Sequence, residues 1–188
     1  MITKKTRKGM FNELGLGEYN KENIKKLQSK YFACKQDVDG IYGKNTDILL
    51  RNLYKVDKYT KHFKLEEFKC GCGGKYCTGY PHLLDKQLLL DIEQIRKDNK
   101  KSLQITCGLR CQKYNDSLVG SVKNSAHIKG KAVDFYMKDR TETLKQRTSL
   151  IKKLKKLKKH KYSYGDGISS SGKVSAPNMG NAVHFEVK

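Results

Sequence analysis

Asn124-Ser125-Ala126-His127-Ile128-Lys129-Gly130-Lys131-Ala132-Val133-Asp134-Phe135 sets a histidine and an aspartate on either side of a glycine. A turn at Gly130 leading into a strand puts Ala132 and Asp134 on one face and Val133 and Phe135 on the other, so His127 and Asp134 can reach one ion. Ala182-Val183-His184-Phe185-Glu186-Val187 alternates in the same way and offers His184 as a third donor. Three protein ligands with an open fourth position is the catalytic arrangement for zinc, because the open position must hold water or substrate. The competing reading is of unrelated polar residues near strand ends.

Around this core the chain has 188 residues, room for one ordinary domain and a small one, with enough apolar content for a core. Forty Lys and Arg against nineteen Asp and Glu give a formal charge of +21. Such a charge attracts polyanions: nucleic acid, an anionic membrane, or an anionic cell wall. No apolar run approaches a membrane span, and Met1-Ile2-Thr3-Lys4-Lys5-Thr6-Arg7-Lys8 is basic without the apolar core of a signal peptide. The expectation is a soluble product of the cytoplasm, needing another exit route for any action outside the cell.

Six cysteines stand at 34, 70, 72, 77, 107 and 111, crowded within Cys70-Gly71-Cys72-Gly73-Gly74-Lys75-Tyr76-Cys77. A structural metal knuckle, disulfides formed after release, and reduced thiols that simply pack all remain open. The glycines permit the tight turns that metal or disulfide closure needs, but the spacing matches no standard two-by-two zinc pattern closely.

In chain order, a basic and mobile leader precedes a helix capped by Asn20 and carrying Ile24, Leu27, Gln28 and Tyr31. A turn rich in glycine then leads to a second helix from about Lys44 to Tyr54 with Ile48, Leu49, Leu50 and Leu53. The charged stretch from Lys55 to Lys61 lacks an apolar period and is the expected boundary between a domain over 1–57 and one over 63–188. After Pro81 a helix is expected from about His82 to Asn99, then a strand at Leu103-Gln104-Ile105-Thr106 and a short helix marked by Tyr114 and Leu118. Asp139-Arg140-Thr141-Glu142 reads as a capping box opening a helix with Leu144, Leu150, Ile151, Leu154 and Leu157 inward and a lysine-rich outer face. Tyr162 to Asn181 is rich in Gly and Ser and is expected to loop over the site before a last strand at Val183 to Val187. His62, His82 and His160 have no partner at useful spacing and read as surface or boundary residues. The fold class is α+β: a small helical unit, then a mostly antiparallel sheet flanked by helices.

Lys26-Leu27-Gln28 followed by Val38-Asp39-Gly40-Ile41-Tyr42-Gly43-Lys44-Asn45-Thr46 resembles the signature of the small helical peptidoglycan-binding domain found on cell-wall hydrolases. The resemblance implies that a shallow groove near the Asp39 to Thr46 loop contacts glycan or stem peptide. Asn52-Leu53-Tyr54 departs from that family's usual aromatic-Gln ending.

Phe68-Lys69-Cys70-Gly71-Cys72, Ile105-Thr106-Cys107-Gly108-Leu109-Arg110-Cys111, Ser125-Ala126-His127 through Asp134, and Val183-His184-Phe185-Glu186 together are similar to the zinc D-alanyl-D-alanine carboxypeptidase and L-alanyl-D-glutamate endopeptidase family. The resemblance implies cleavage of peptidoglycan stem peptides, His127, Asp134 and His184 as ligands of one Zn2+, and Arg110 as the cation near the scissile carbonyl. Such a metal polarises the amide and lowers the pKa of its water, while an arginine can stabilise the oxyanion or clamp a substrate carboxylate. Many members carry a carboxylate three residues before the last ligand, where this chain has Asn181. Glu186, two positions beyond His184 on the same strand face, is the first candidate to accept the proton or to orient the histidine, and Asp166 in Tyr164-Gly165-Asp166-Gly167 is the second. A nucleophilic cysteine is the weaker alternative, no histidine standing near one in sequence.

The expectation is therefore a monomeric peptidoglycan hydrolase resembling phage endolysins, made in the host cytoplasm and acting at the bacterial cell wall, with anionic wall polymers as further partners. A wall-binding protein without catalysis is the alternative. A basic nucleic-acid-binding protein ranks last, because no aromatic and basic interleaving of a known module is present.

Overall fold

The computed structural model describes residues 1–99, 101–137, 144–165, 179 and 182–188. The amino-terminal segment, expected as a mobile leader, is helix α1 (Lys4–Glu13), with Thr3 accepting a bond from the Thr6 amide at its start. What holds it down is Phe11, fully buried against Tyr19 with ring centroids 5.3 Å apart. Burial of a side chain of this size contributes about 1.5–3 kcal/mol, enough to order a short amphipathic helix.

Helix α2 (Lys21–Tyr31) is capped by Asn20 as its sequence indicates and buries Ile24, Leu27, Gln28 and Tyr31. Gln28 is 1% exposed and organises the turn that follows. Its amide nitrogen donates to Asp39 Oδ1, the Ile41 carbonyl and Thr46 Oγ1, and its oxygen accepts from the Gly40 amide. A buried primary amide must find such partners, which is the physical content of the Leu-Gln and Asp-Gly pair in this stretch.

Helix α3 (Lys44–Tyr59) runs five residues past Tyr54, through most of the charged stretch expected as a boundary. Val56 is the reason: it is buried, and Thr60 closes the helix by donating its hydroxyl to the Val56 carbonyl. Helix α4 (Lys86–Asn99) conversely starts later than His82. The backbone over 82–85 is bonded elsewhere, with Asn52 bridging the His82 carbonyl and the Leu84 amide at 2.8 Å each and the Asp85 amide donating to the Gly130 carbonyl. Asp85 then caps α4 by accepting from the Gln87 and Leu88 amides.

Strands β1 (Leu103–Cys107), β2 (Ala132–Met137), β3 (His160–Gly165) and β4 (Val183–Val187) form an antiparallel sheet in the order β1-β2-β4-β3. β3 corrects the expectation of a loop from Tyr162 onward: Tyr162 to Gly165 are paired with β4, and the rest of that expected loop lies almost wholly outside the described residues. Between the strands lie the short helix α5 (Gln112–Asp116) and helix α6 (Leu144–Leu154). The capping box at 139–142 lies outside the described residues. Within α6, Leu150, Ile151 and Leu154 are buried as expected, but Leu144 in the first turn is 52% exposed.

Helices α4 and α6 cover one face of the sheet, where Val133, Phe135, Val183, Phe185 and Val187 join an apolar cluster that continues through Leu84 and Leu50 to Phe11. Two histidines read as unpartnered are engaged here. His62 Nδ1 lies 2.8 Å from Glu93 Oε1, and His160 Nε2 lies 2.6 Å from Ser163 Oγ. The architecture is α+β, and the sheet face away from α4 and α6 carries the polar residues of β2 and β4.

Candidate active site

Alternation along β2 and β4 places Asp134 and His184 on one face, and the antiparallel register sets them directly opposite each other. His184 Nδ1 accordingly lies 2.8 Å from Asp134 Oδ1. His127 arrives from another direction, on a 3-10 turn over Ala126–Lys129 that Ser125 caps and Gly130 ends in the left-handed region at φ 66°. Its Nε2 stands 3.4 Å from the second oxygen, Asp134 Oδ2. One carboxylate thus faces two imidazoles with one oxygen each.

Tautomers follow from the outer partners. His127 Nδ1 is 2.7 Å from the Gly108 carbonyl, which can only accept, so Nδ1 carries the proton and Nε2 is the nitrogen free to bind an ion. His184 Nε2 is 3.8 Å from Glu186 Oε2, leaving Nδ1 turned to Asp134. Tyr164, opposite His184 on β3, stacks on its ring with centroids 4.6 Å apart and fixes the plane.

Arg110 sits on the turn after β1, whose backbone is fastened by the Leu109 amide to the Phe68 carbonyl and by the Arg110 amide to the His127 carbonyl. Gly108 is required there, because a Cβ would lie 2.5 Å from Phe68 Cα. The guanidinium donates to Asn115 Oδ1 and Cys107 Sγ at 3.1 Å each and lies 4.0 Å from Asp134 Oδ2. Its buried Nε has no partner among the described residues. A register shift between Ile105 and Cys107 brings Cys107 opposite Asp134. Cys107 Sγ approaches His127 on the Nδ1 side at 3.7 Å.

Burial pulls the His127 pKa down, yet hydrogen bonding to Asp134 and Cys107 outweighs it and holds the ion-free imidazole up at about 10. Burial likewise raises Asp134, but the two histidines hold its carboxyl well below the usual range. Glu186 is drawn down to about 2, first by its bond to His184 and then, against some burial, by Lys161. The site is therefore a buried carboxylate flanked by two imidazoles, which, once an ion displaces the proton from His127, is a donor set that suits a borderline-soft divalent ion such as zinc. It forms the floor of an open cleft of about 840 Å³ bordered by Arg110, Leu118, Tyr164 and Glu186.

The structure thus brings together His127, Asp134, His184, Arg110 and Glu186 of the residues singled out in the sequence. Asp166 and Asn181 lie outside the described residues. Three contributors were missed: Tyr164, Asn115 and Cys107. The alternation of Tyr162-Ser163-Tyr164 was a strand signal for the first; the buried Asn115, which also donates to the Val122 carbonyl, has no signature in spacing.

A family model described as Peptidase M15 matches residues 61–161, a span that contains Arg110, His127 and Asp134 and ends before His184. No curated protein matches the chain.

Proposed function

The chain belongs to the Peptidase M15 family of metallopeptidases, and on that basis we propose that it hydrolyses an amide bond of peptidoglycan stem peptides with zinc at His127, Asp134 and His184, in the manner of a phage endolysin. The observation that carries the reading is the convergence of these three donors from separate turns and strands, with Arg110 beside them, on the floor of one cleft. Zinc held there supplies Lewis acidity and a water ionisable near neutral pH.

The protein's own groups do the rest. The Gly108 carbonyl fixes the His127 tautomer, and Tyr164 and Glu186 fix His184. Arg110 borders the cleft, where its guanidinium is suited to the oxygen on which charge develops or to a substrate carboxylate. Glu186, ionised throughout the neutral range, is a weak base by the measure that favours a pKa near the working pH. Of its two candidate roles we therefore assign it the orienting of His184, which leaves Asp166, the second candidate in the sequence, for proton transfer. With zinc saturating, Glu186→Gln keeps kcat within about tenfold of wild type while metal affinity falls by about 10–100-fold. Asp166→Asn instead loses about 10²–10⁴ in kcat. The reverse pattern in steady-state assays with metal titration returns the base role to Glu186.

Residues 1–57 are assigned to wall attachment. The Gln28 network shapes the Asp39 to Thr46 loop, and Ile41 on that loop is 63% exposed, an apolar contact for glycan or peptide. The charge of +21 favours residence among anionic wall polymers. Purified walls incubated with the zinc-loaded protein release fragments with one stem-peptide bond cut, read by mass analysis. Intact stem peptides with zinc bound and the protein adhering to the wall would leave a binding protein in place of the enzyme.

A further inference from the structure

The cysteine-rich stretch is not used by the cleft. Cys70, Cys72 and Cys77 meet Cys111 from the turn after β1, and the four sulfurs all lie within 4.8 Å of one another. Cys72 and Cys77 are 3.5 Å apart at sulfur. We propose that these four cysteines form a second, structural metal centre that binds one zinc ion through four thiolates. In a tetrahedral site with Zn–S about 2.3 Å, sulfurs stand about 3.8 Å apart, which is the separation this cluster approaches. A disulfide joins sulfurs in pairs at about 2.05 Å and has no need to bring all four mutually close.

The chain between the ligands is built to fold back on itself. Gly73 and Gly74 take φ of 63° and 95°, and Gly79 takes 106°, all in the region that favours glycine. The Lys75 amide donates to the Cys72 carbonyl, and the Cys70 amide donates to the Gly79 carbonyl, closing the loop at its base. At Gly74 a Cβ would lie 2.9 Å from the Ala33 carbonyl oxygen, so the loop is also pressed against the end of α2. The Cys111 amide donates to Cys70 Sγ at 3.3 Å, the kind of outer bond that supports a thiolate ligand. Cys70 and Cys111 are buried while Cys72 and Cys77 are half-buried, so the ion has an entry side. The remaining cysteines stand apart: Cys107 belongs to Arg110 and His127, and Cys34 is outside the group.

Four protein donors leave no open position, so this centre is structural, not catalytic. Its place gives it a specific task. Cys111 directly follows Arg110, and the Cys70 to Cys77 loop follows Phe68, whose carbonyl already holds Leu109. The ion clamps this loop to the arginine turn.

Cobalt titration of the fully reduced protein tests this without using hydrolysis as a readout. The expected result is a strong thiolate-to-cobalt charge-transfer band in the near ultraviolet with intense tetrahedral bands in the visible, saturating at one equivalent. The same bands persist in His127→Ala, which perturbs the cleft alone, and vanish in Cys72→Ser/Cys77→Ser, which holds one equivalent of zinc fewer than wild type. A reduced wild type that gives no charge-transfer band overturns the proposal. So does peptide mapping that finds these cysteines joined as disulfides in protein prepared with zinc and without oxidant.

Discussion

Under the proposed function, Asp134→Asn is expected to remove one equivalent of zinc relative to wild type and to lower stem-peptide hydrolysis by at least about 10³-fold, the equivalent of the several kcal/mol that a metal ion contributes to such a reaction. Asp134 lies between two imidazoles, each within 3.4 Å of one of its oxygens. An amide in its place presents one neutral oxygen and an NH2 group that repels a cation, so neither histidine retains its geometry toward the ion. The same linkage sets a pH dependence in the wild type. His127 in the ion-free protein stays protonated up to about pH 10, so each ion that binds displaces that proton. Apparent affinity at this site therefore weakens as pH falls, because the ion competes with a proton for His127. Metal analysis together with kcat/KM for a stem-peptide fragment checks the variant. A protein that keeps its full zinc complement and near wild-type turnover removes Asp134 from the centre.

The part of this site that lay open to sequence reasoning is the part set by period two. Asp134 and His184 sit on alternating strands whose apolar partners, Val133, Phe135, Val183 and Phe185, all point to the core, so the polar residues had one face left. What spacing cannot carry is anything that depends on carbonyl direction or on chance of approach. The Gly108 carbonyl that fixes His127, and the meeting of Cys111 with the Cys70 loop, come from backbone paths between distant segments. β3 was hidden for another reason: Lys161, Tyr162 and Tyr164 sit on an edge strand facing the cleft, and Gly165 leads into a Gly and Ser run, so local composition read as loop. Helix ends failed where side chains from afar decide them, as Asn52 does by binding the backbone at His82 and Leu84 before α4 begins.

Gly130→Ala destabilises the protein by at least about 3 kcal/mol, a loss in the range that marks a disrupted core contact. Two causes add. An alanine at φ 66° costs about 1–2 kcal/mol for its left-handed backbone. The new Cβ would also stand 2.1 Å from the Leu83 carbonyl oxygen and 3.2 Å from Leu84 Cα, contacts that only a backbone shift relieves. That backbone is poorly placed to move: Leu84 is fully buried, its amide is held by Asn52 and its carbonyl by Lys55. The Asp85 amide bond to the Gly130 carbonyl would be strained by the same shift. Since Gly130 ends the turn that carries His127, the damage reaches the proposed metal centre, and zinc affinity is expected to fall along with stability. For a chain of this size the loss corresponds to a fall in Tm of roughly 6–12 °C. Gly120→Ala is the control, because Gly120 has a similar φ of 75° but nothing among the described residues within 4 Å of its Cβ position. It should lose only the backbone share, about 1–2 kcal/mol, and keep its zinc. Equal losses in the two variants, measured by denaturant unfolding, would show that the approach of Leu83 carries no weight.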